Sequence, residues 1–303
     1  MVTRLKIADQ IFSLEDVDYL VLAGPTAVGK TDLVNSIQEQ VAIEVISADT
    51  RQVYRGMNIG TATPDDGLLK AIPHHFINEL DPDTVWSAGS FYRQARERIG
   101  EILERGRLPL VVGGAGLYLE ALRHGLFEAS RSSPEIRLRY ERRLAEIGAQ
   151  ALWQELHAID PVYAETFSSN DHKKLVRAME IYAETGMPPS EAFQTGQSEF
   201  EQRDLFLVLS RPREVLYQRI NERVEQMLAD GLVQECQLLL TNGFGPELYP
   251  LRTIGYKEVF SFLAGDINEG ELCALIQKNT RNFAKRQLTW FRNHAHHHWL
   301  ELE

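Results

Sequence analysis

A glycine-rich segment near the N-terminus carries the residue types and spacing that most directly predict chemistry. Residues 24–31 read GPTAVGKT and match the pattern GxxxxGK[ST]. In such a loop successive backbone N–H groups point at one anion, the lysine adds a positive charge and the last hydroxyl ligates Mg²⁺. We therefore predict a site for a diphosphate-bearing ligand, with Thr31 as the metal ligand. Its residues are Gly24, Pro25, Thr26, Ala27, Val28, Gly29, Lys30 and Thr31.

An aspartate and several arginines are predicted to lie near this loop. Asp49 follows the apolar run 43–47, and the carboxyl ends of parallel strands share one crevice. Three roles are open for it: an outer-sphere Mg²⁺ ligand, a general base toward an incoming nucleophile, or a helix cap. Arg213 and Arg219 follow a later strand and are expected to clamp phosphates. A solvated helix face is the alternative for Arg219 and Arg223.

The charge distribution is uneven. The 303 residues include 43 acidic and 32 basic side chains, for a formal net charge of −11. Residues 278–292 nevertheless contain five basic residues and no acidic ones, and Lys173, Lys174 and Arg177 form a smaller basic group. Either group alone is typical of a solvated helix face. Both together, in a chain with a phosphate loop, favour a nucleic acid that is held by its backbone while one base enters the crevice.

The histidines offer weaker signals. Residues 294–298 contain four histidines, but their mixed spacing and the lack of a cysteine partner favour the edge of a strand over a zinc site. His74–His75 admits a catalytic or a structural role.

Composition limits the class of protein. With 44% hydrophobic and 25% charged residues, the chain is expected to be a soluble globular protein of one large or two modest domains. The N-terminus shows no apolar segment typical of a signal peptide, and no apolar run is long enough to span a membrane. Two cysteines are too few for a disulfide framework, so we expect a cytoplasmic protein.

Strand and helix patterns alternate at both ends of the chain. The predicted strands cover 18–23, 43–47, 108–112 and 204–209, and the predicted helices cover 30–40, 90–105, 212–230, 235–240 and 268–292. Such alternation predicts an α/β fold, a P-loop NTPase-like parallel sheet flanked by helices. The sheet domain is expected at 1–122 and 201–303, interrupted by a small all-helical insertion domain at 123–200.

Several segments together resemble one family, the tRNA dimethylallyltransferases or tRNA isopentenyltransferases. The resemblance covers nearly the whole chain, with the family's blocks in the family's order. The segments are GPTAVGKT (24–31), ISADTRQVYRGMNIGTATP (46–64), PHHFIN (73–78), LPLVVGGAGLYLEAL (108–122), PREVLYQRINERVEQMLADGL (212–232), LRTIGYKEV (251–259) and TRNFAKRQLTWFR (280–292).

The resemblance implies transfer of a dimethylallyl group from dimethylallyl diphosphate to N6 of the adenosine at tRNA position 37, assisted by Mg²⁺. It implies Asp49 as the general base, with Lys30 and Arg213 stabilising the leaving diphosphate. It also implies that the insertion domain contacts tRNA. We further expect a monomer without a membrane partner. The implied tRNA-binding residues are Asp49, Thr50, Arg51, Gln52, Ala115, Lys173, Lys174, Arg177, Arg252, Gly255, Tyr256, Lys257, Arg281, Lys285, Arg286, Gln287, Trp290 and Arg292.

Two positions depart from the family's pattern. Thr50 replaces a serine and keeps the hydroxyl. Ala115 replaces the threonine of GGTGLY and is expected to lie near the target base, so the resemblance predicts slower catalysis rather than none while Asp49 is intact.

Three other functions fit parts of the sequence. A P-loop small-molecule kinase requires ATP and does not explain the basic helix. An adenylate isopentenyltransferase, acting on a free nucleotide, explains neither basic group. A non-enzymatic P-loop RNA-binding module is the third, and turnover of the prenyl donor distinguishes it from an enzyme.

Overall fold

The sheet is built from short apolar runs, as expected for strands that helices cover on both faces. The computed structural model describes residues 3–125, 133–195, 203–294 and 298–303. Its strands are β1 (Arg4–Ile7), β2 (Gln10–Ser13), β3 (Tyr19–Ala23), β4 (Ile43–Ala48), β5 (His74–His75), β6 (Leu108–Gly113), β7 (Asp204–Ser210) and β8 (His298–Glu301). Strands β1 and β2 form an antiparallel hairpin. The others form one sheet in the order β5-β4-β6-β3-β7-β8, with every neighbouring pair parallel.

Helices connect these strands and fill the central part of the chain. They are α1 (Lys30–Gln38), α2 (Asp66–Ala71), α3 (Ala88–Glu104), α4 (Gly116–His124), α5 (Pro134–Ile147), α6 (Ala149–Ile159), α7 (Pro161–Ala164), α8 (His172–Thr185), α9 (Pro189–Thr195), α10 (Arg213–Ala229), α11 (Leu232–Thr241), α12 (Tyr256–Leu263) and α13 (Glu269–Asn293). A 3₁₀ helix covers Tyr249–Arg252. In the described ranges no helix combines the length and apolar character needed to cross a bilayer.

The chain divides into two compact units. The first consists of Met1–Glu120 and Glu201–Glu303 and holds the sheet, and the second is Ala121–Phe200. The core of the first unit contains apolar side chains of β3, β6, β7, α10 and α13, such as Leu22, Ile220 and Ala284. The second unit has its own core, in which Leu152 and Leu156 of α6 are grouped with Leu175 of α8.

The register of the central strands places three loops side by side. Ala23 of β3 and Ala48 of β4 both lie opposite Gly113 of β6, so these strands end in one row. A Cβ atom on Gly113 would lie 2.2 Å from the Ala48 carbonyl oxygen, and only glycine fits this approach. The loops that follow the three strands therefore begin at one edge of the sheet, where the sequence predicted a crevice.

The predicted fold class is confirmed, while the detail differs at several elements. The first predicted helix ends at Gln38 rather than Gln40. The hairpin β1–β2 and helix α12 were not predicted, because short elements with mixed polarity give little periodic signal. His298 begins β8 at the edge of the sheet, and residues 296 and 297 of the histidine tract lie outside the described residues.

Candidate active site

The phosphate loop joins β3 to α1 and surrounds the side chain of Lys30. Gly29 precedes the helix with φ at 109°, a left-handed conformation that favours glycine. The Lys30 ammonium donates hydrogen bonds to the carbonyl oxygens of Gly24 and Pro25, at 3.0 and 2.9 Å. The loop therefore holds its lysine at the N-terminus of α1, where the helix dipole also favours an anion.

The environment of Lys30 destabilises the charged form of its ammonium group. Burial and the nearby positive charge of Arg223 lower the pKa of Lys30 from 10.5 to about 8, while the Asp49 carboxylate opposes the change. Burial also lowers the pKa of Arg223, again with Asp49 opposing. A cation that loses water without gaining a full counter-charge is stabilised by a bound anion. The site is therefore electrostatically prepared for a phosphate-bearing ligand.

Asp49 occupies the turn directly after β4. Its Oδ1 atom accepts hydrogen bonds from the backbone N–H groups of Arg51 at 2.8 Å and Gln52 at 3.4 Å. Within the described chain, the Oδ2 atom has no hydrogen-bonding partner. One oxygen thus caps the turn and orients the carboxylate, and the other is available to accept a proton. Capping and general-base catalysis are compatible at this residue.

One large cavity brings the phosphate loop and Asp49 together. Its volume is about 910 Å³, and residues from eight separated segments line it. Among them are Thr26, Ala27, Val28, Gly29, Lys30, Thr31, Asp49, Thr50, Arg51, Gln52, Gly114, Arg219, Arg223, Tyr249, Arg252, Gly255, Lys257, Phe283, Arg286 and Gln287. The structure therefore brings most of the predicted binding residues of the first unit to one site.

The arginines after β7 differ from the prediction. Arg211 and Arg219 hold the phosphate loop by donating from Nε to the carbonyl oxygens of Val28 at 2.8 Å and Ala27 at 3.0 Å. Arg213 is exposed, lies over the ring of Tyr217 at 5.0 Å and is not among the cavity-lining residues. Because a helix turns 100° per residue, Arg219 and Arg223 share a face of α10 that Arg213 does not.

Arg223 lines the cavity, although the sequence assigned it no role beyond that of a solvated helix face. It is half-buried and lines the cavity together with Lys30 and Asp49. Considering only the described residues, its guanidinium has neither a hydrogen bond nor an ion pair. The helical spacing of four from Arg219 was the available signal.

The turn after Asp49 is held by its own side chains. The Arg51 guanidinium donates to the Thr50 carbonyl oxygen at 3.0 Å. The Gln52 amide accepts from the Ser47 hydroxyl at 2.7 Å and donates to the carbonyl oxygens of Thr61 and Ala62 at 3.3 and 3.2 Å. Gln52 therefore uses both ends of its amide inside the protein, although it lines the cavity.

Residues 252–257 divide between the cavity and the core. Arg252, Gly255 and Lys257 line the cavity. Tyr256 is fully buried, and its hydroxyl donates to Glu235 at 2.6 Å. The same carboxylate accepts the backbone N–H groups of residues 58–60 at 2.8–3.1 Å, so it fixes a loop beside the cavity. Tyr256 was expected to bind the substrate, but its burial gives it a bracing role instead.

Only some of the α13 residues that were predicted to bind tRNA are exposed. Lys285, Arg286 and Arg292 are exposed. Arg281 donates to the Asn221 side chain at 2.5 Å, and the Trp290 ring stacks on His294 with a centroid distance of 3.9 Å. The exposed cations leave a positive surface on the helix, while Arg281 contacts α10 and Trp290 contacts the end of its own helix.

Two other predicted positions, Ala115 and His75, bond to groups inside the protein. Ala115 is half-buried and donates its N–H to the Ala48 carbonyl oxygen at 3.3 Å, but it is not among the cavity-lining residues. His75 bonds to the buried Glu44 carboxylate at 2.8 Å, which supports a structural role for that histidine.

The predicted basic group of the second unit lies at the start of α8. Lys173 is exposed, Lys174 lies 3.9 Å from Asp171, and Arg177 donates to Glu180 at 3.0 Å. Two of the three cations thus have acidic neighbours on their own helix, which reduces the local positive charge.

Gln287 is buried between two loops of the active site. Its Oε1 atom accepts from the Thr26 N–H and its Nε2 atom donates to the Gly114 carbonyl oxygen, both at 3.0 Å. The side chain therefore ties α13 to the loops after β3 and β6. The resemblance assigned Gln287 to the tRNA-binding residues, and its amide, although buried, already bonds to these two loops of the protein.

We expect Gln287→Leu to weaken the binding of inorganic pyrophosphate about tenfold, because it leaves two buried backbone groups unpaired beside the phosphate loop. Isothermal titration calorimetry measures this effect. Lys285→Gln, an exposed position on the same helix, is the matched control and should bind pyrophosphate like the wild type. Equal affinity for Gln287→Leu and wild type would show that the loop keeps its shape without this amide.

The oxygen donors at the cavity fit a phosphate-bound Mg²⁺. Thr31 and Asp49 supply a hydroxyl and a carboxylate, the hard ligands that Mg²⁺ prefers. In the described ranges no group of three or more His, Cys, Asp or Glu side chains could hold a metal ion. Mg²⁺ commonly binds through one or two protein oxygens together with substrate phosphates and water, and this donor set matches that mode.

Comparison with known proteins shows similarity to one family over most of the chain. A family model described as IPP transferase matches residues 52–294. The tRNA dimethylallyltransferase 1 of Pelobacter propionicus is 43% identical over 283 residues, which is 93% of this chain and 92% of that protein. The tRNA dimethylallyltransferase 1 of Syntrophotalea carbinolica is 44% identical over 284 residues, covering 93% and 90%.

Solved structures agree with the sequence comparisons. The full-length tRNA isopentenylpyrophosphate transferase of Bacillus halodurans has a TM-score of 0.69 and 38% identity, covering 94% of this chain and 90% of its own. A eukaryotic dimethylallyltransferase acting on tRNA has a TM-score of 0.78 and 30% identity, covering 90% and 69%. The chain therefore belongs to the IPP transferase family.

Proposed function

We propose that this protein is a tRNA dimethylallyltransferase that transfers a dimethylallyl group from dimethylallyl diphosphate to N6 of the adenosine at tRNA position 37. The observation that carries the proposal is the shared cavity of Asp49 and Lys30, a general-base candidate beside a phosphate loop. The membership of the family and the exposed cations of α13 support the tRNA substrate. Two free cysteines fit a cytoplasmic protein, and we propose that it acts as a monomer.

The reaction requires a base on one side and an anion site on the other. The N6 amine forms a bond to the allylic carbon, the carbon–oxygen bond of the donor breaks, and its electron pair leaves with the diphosphate. The Oδ2 atom of Asp49 accepts the N6 proton, which raises the nucleophilicity of a weakly basic aromatic amine. Lys30 and Arg223 stabilise the departing charge, with Arg219 supporting the loop. Arg213 has no place in this scheme because it lies outside the cavity lining.

The phosphate loop and Thr31 would hold Mg²⁺ together with the diphosphate. The ion would supply additional charge stabilisation to the leaving group.

An acceptor comparison tests the proposed function. Purified protein is incubated with labelled dimethylallyl diphosphate and either an unmodified tRNA transcript or adenosine monophosphate, and separately with labelled ATP and small-molecule acceptors. We expect label only in tRNA. Label in the free nucleotide would identify an adenylate isopentenyltransferase, and phosphoryl transfer from ATP would identify a kinase.

Salt dependence tests the basic surface of α13. We expect Lys285→Ala and Arg286→Ala each to reduce the slope of log affinity for tRNA against log salt by about one. Lys6→Ala, an exposed lysine on β1 outside the cavity lining, is the control and should leave the slope unchanged. Filter binding between low and physiological salt measures the slope, and a salt-insensitive complex would contradict an electrostatic surface.

A further inference from the structure

Two arginine–aromatic pairs line the active-site cavity. The Arg51 guanidinium lies 4.8 Å from the ring centroid of Tyr249, and that of Arg286 lies 5.8 Å from the ring centroid of Phe283. All four residues line the cavity that holds Asp49. Arginine and aromatic planes are the side-chain surfaces on which unpaired nucleobases stack.

Tyr249 is presented outward by the segment that carries it. It begins the 3₁₀ helix Tyr249–Arg252, whose next two residues, Pro250 and Leu251, are buried. The Tyr249 residue itself is 65% exposed, although large aromatic residues usually bury most of their surface. Within the described residues, its hydroxyl has no hydrogen-bonding partner. Core packing therefore does not account for a tyrosine at this position.

The Arg51 side chain beside the Tyr249 ring is held at the turn that carries Asp49. The backbone N–H of Arg51 donates to the Asp49 carboxylate at 2.8 Å, and the Arg51 guanidinium donates to the Thr50 carbonyl oxygen at 3.0 Å. The Arg51 Nε atom is buried without a hydrogen-bonding partner in the described structure. The guanidinium thus gains little from hydrogen bonds, and its contact with the Tyr249 ring places an aromatic surface next to the turn of Asp49.

We propose that Tyr249, held by Arg51, is a stacking surface for the nucleobase next to the adenosine that reacts, and that Phe283 with Arg286 forms a second such surface. This inference rests on the proposed function and specifies how the site recognises tRNA. A base delivered to Asp49 must leave its stack, and its neighbours lose a stacking partner at the same time. Aromatic surfaces at the cavity replace that partner, so the site selects single-stranded loop nucleotides over a free nucleotide.

Steady-state kinetics with an unmodified tRNA transcript tests the role of Tyr249. We expect Tyr249→Ala to raise the KM for tRNA about tenfold, the size of one lost base–aromatic stack, with little change in kcat or in the KM for dimethylallyl diphosphate. Tyr249→Phe and Tyr249→Trp should retain the wild-type KM, whereas Tyr249→Leu should not. Leu238→Ala is the matched control, because Leu238 is 61% exposed and is not among the cavity-lining residues.

Fluorescence gives an independent readout of stacking. Transcripts carry 2-aminopurine on either side of the reacting adenosine, and its emission falls when the base stacks. We expect wild-type protein to quench at least one of these positions and Tyr249→Ala to restore its emission; Phe283→Ala should do the same for the second surface.

The outcomes separate this inference from the proposed function. The stacking role alone would be overturned if the wild type transfers the group to tRNA and Tyr249→Ala has an unchanged KM for tRNA. A wild-type KM for tRNA in Tyr249→Leu would overturn it in the same way. No transfer to tRNA by the wild type would overturn both.

Discussion

Asp49→Asn is expected to lower kcat for transfer to tRNA about 10³-fold while leaving the KM of both substrates within a few-fold of wild type. The reason is geometric. An asparagine retains the Oδ1 atom that accepts the N–H groups of Arg51 and Gln52, so the turn keeps its shape. What it loses is the second carboxylate oxygen, the one available to take the N6 proton.

The same variant separates the roles that the sequence left open for Asp49. Retention of activity within tenfold of wild type would mean that the residue serves only as a cap. Asp32→Asn is the matched control: Asp32 also lines the cavity but is exposed and lies 3.6 Å from Arg219. We expect this control to keep nearly full activity, and single-turnover kinetics with saturating substrates measures the chemical step in both variants.

Lys30→Ala is expected to lower kcat/KM for dimethylallyl diphosphate about 10³-fold, because it removes a charge aimed at the departing diphosphate. The pH dependence gives a second test. With a pKa of about 8, Lys30 in the free protein loses its charge as pH rises through that value. The protonated form binds the diphosphate, so kcat/KM for the donor should fall above about pH 8 and approach a tenfold loss per pH unit.

Lys30→Arg is the control for this pH limb. An arginine stays charged over the same range, so this variant should show a flat profile above pH 8 even where its absolute activity is reduced. A wild-type profile without a fall above pH 8, or an identical fall in Lys30→Arg, would assign the limb to another group.

Local motifs made part of the site predictable from the sequence. The phosphate loop and Asp49 each lie within a few residues of a strand end, and the parallel register brings those ends together. The arginines of α10 were less predictable, because their orientation depends on where the helix begins and on which face packs inward. Arg213 consequently faces solvent, although the sequence assigned it to the phosphates. Arg223, for which the sequence offered a solvated helix face as the alternative, lines the cavity.

Long-range contacts account for the remaining differences. Gln287 and Tyr256 lie in segments that the resemblance linked to tRNA, yet both are buried and bond to groups inside the protein. Glu235 holds the loop at residues 58–60, some 175 positions earlier in the chain. Tyr249 has no motif around it, and only the structure shows its ring beside Arg51. No local pattern encodes such partners, because they are set by how distant elements pack.

The position of the transferred group in the RNA tests the central claim most directly. Unmodified tRNA is incubated with the protein, Mg²⁺ and labelled dimethylallyl diphosphate, with Asp49→Asn alongside, and the RNA is then digested to nucleosides. We predict label in N6-dimethylallyladenosine from position 37, none in a transcript with guanosine at that position, and a loss of label with Asp49→Asn. Label at another nucleotide, undiminished label with Asp49→Asn, or no label beside active phosphoryl transfer from ATP would contradict the proposed function.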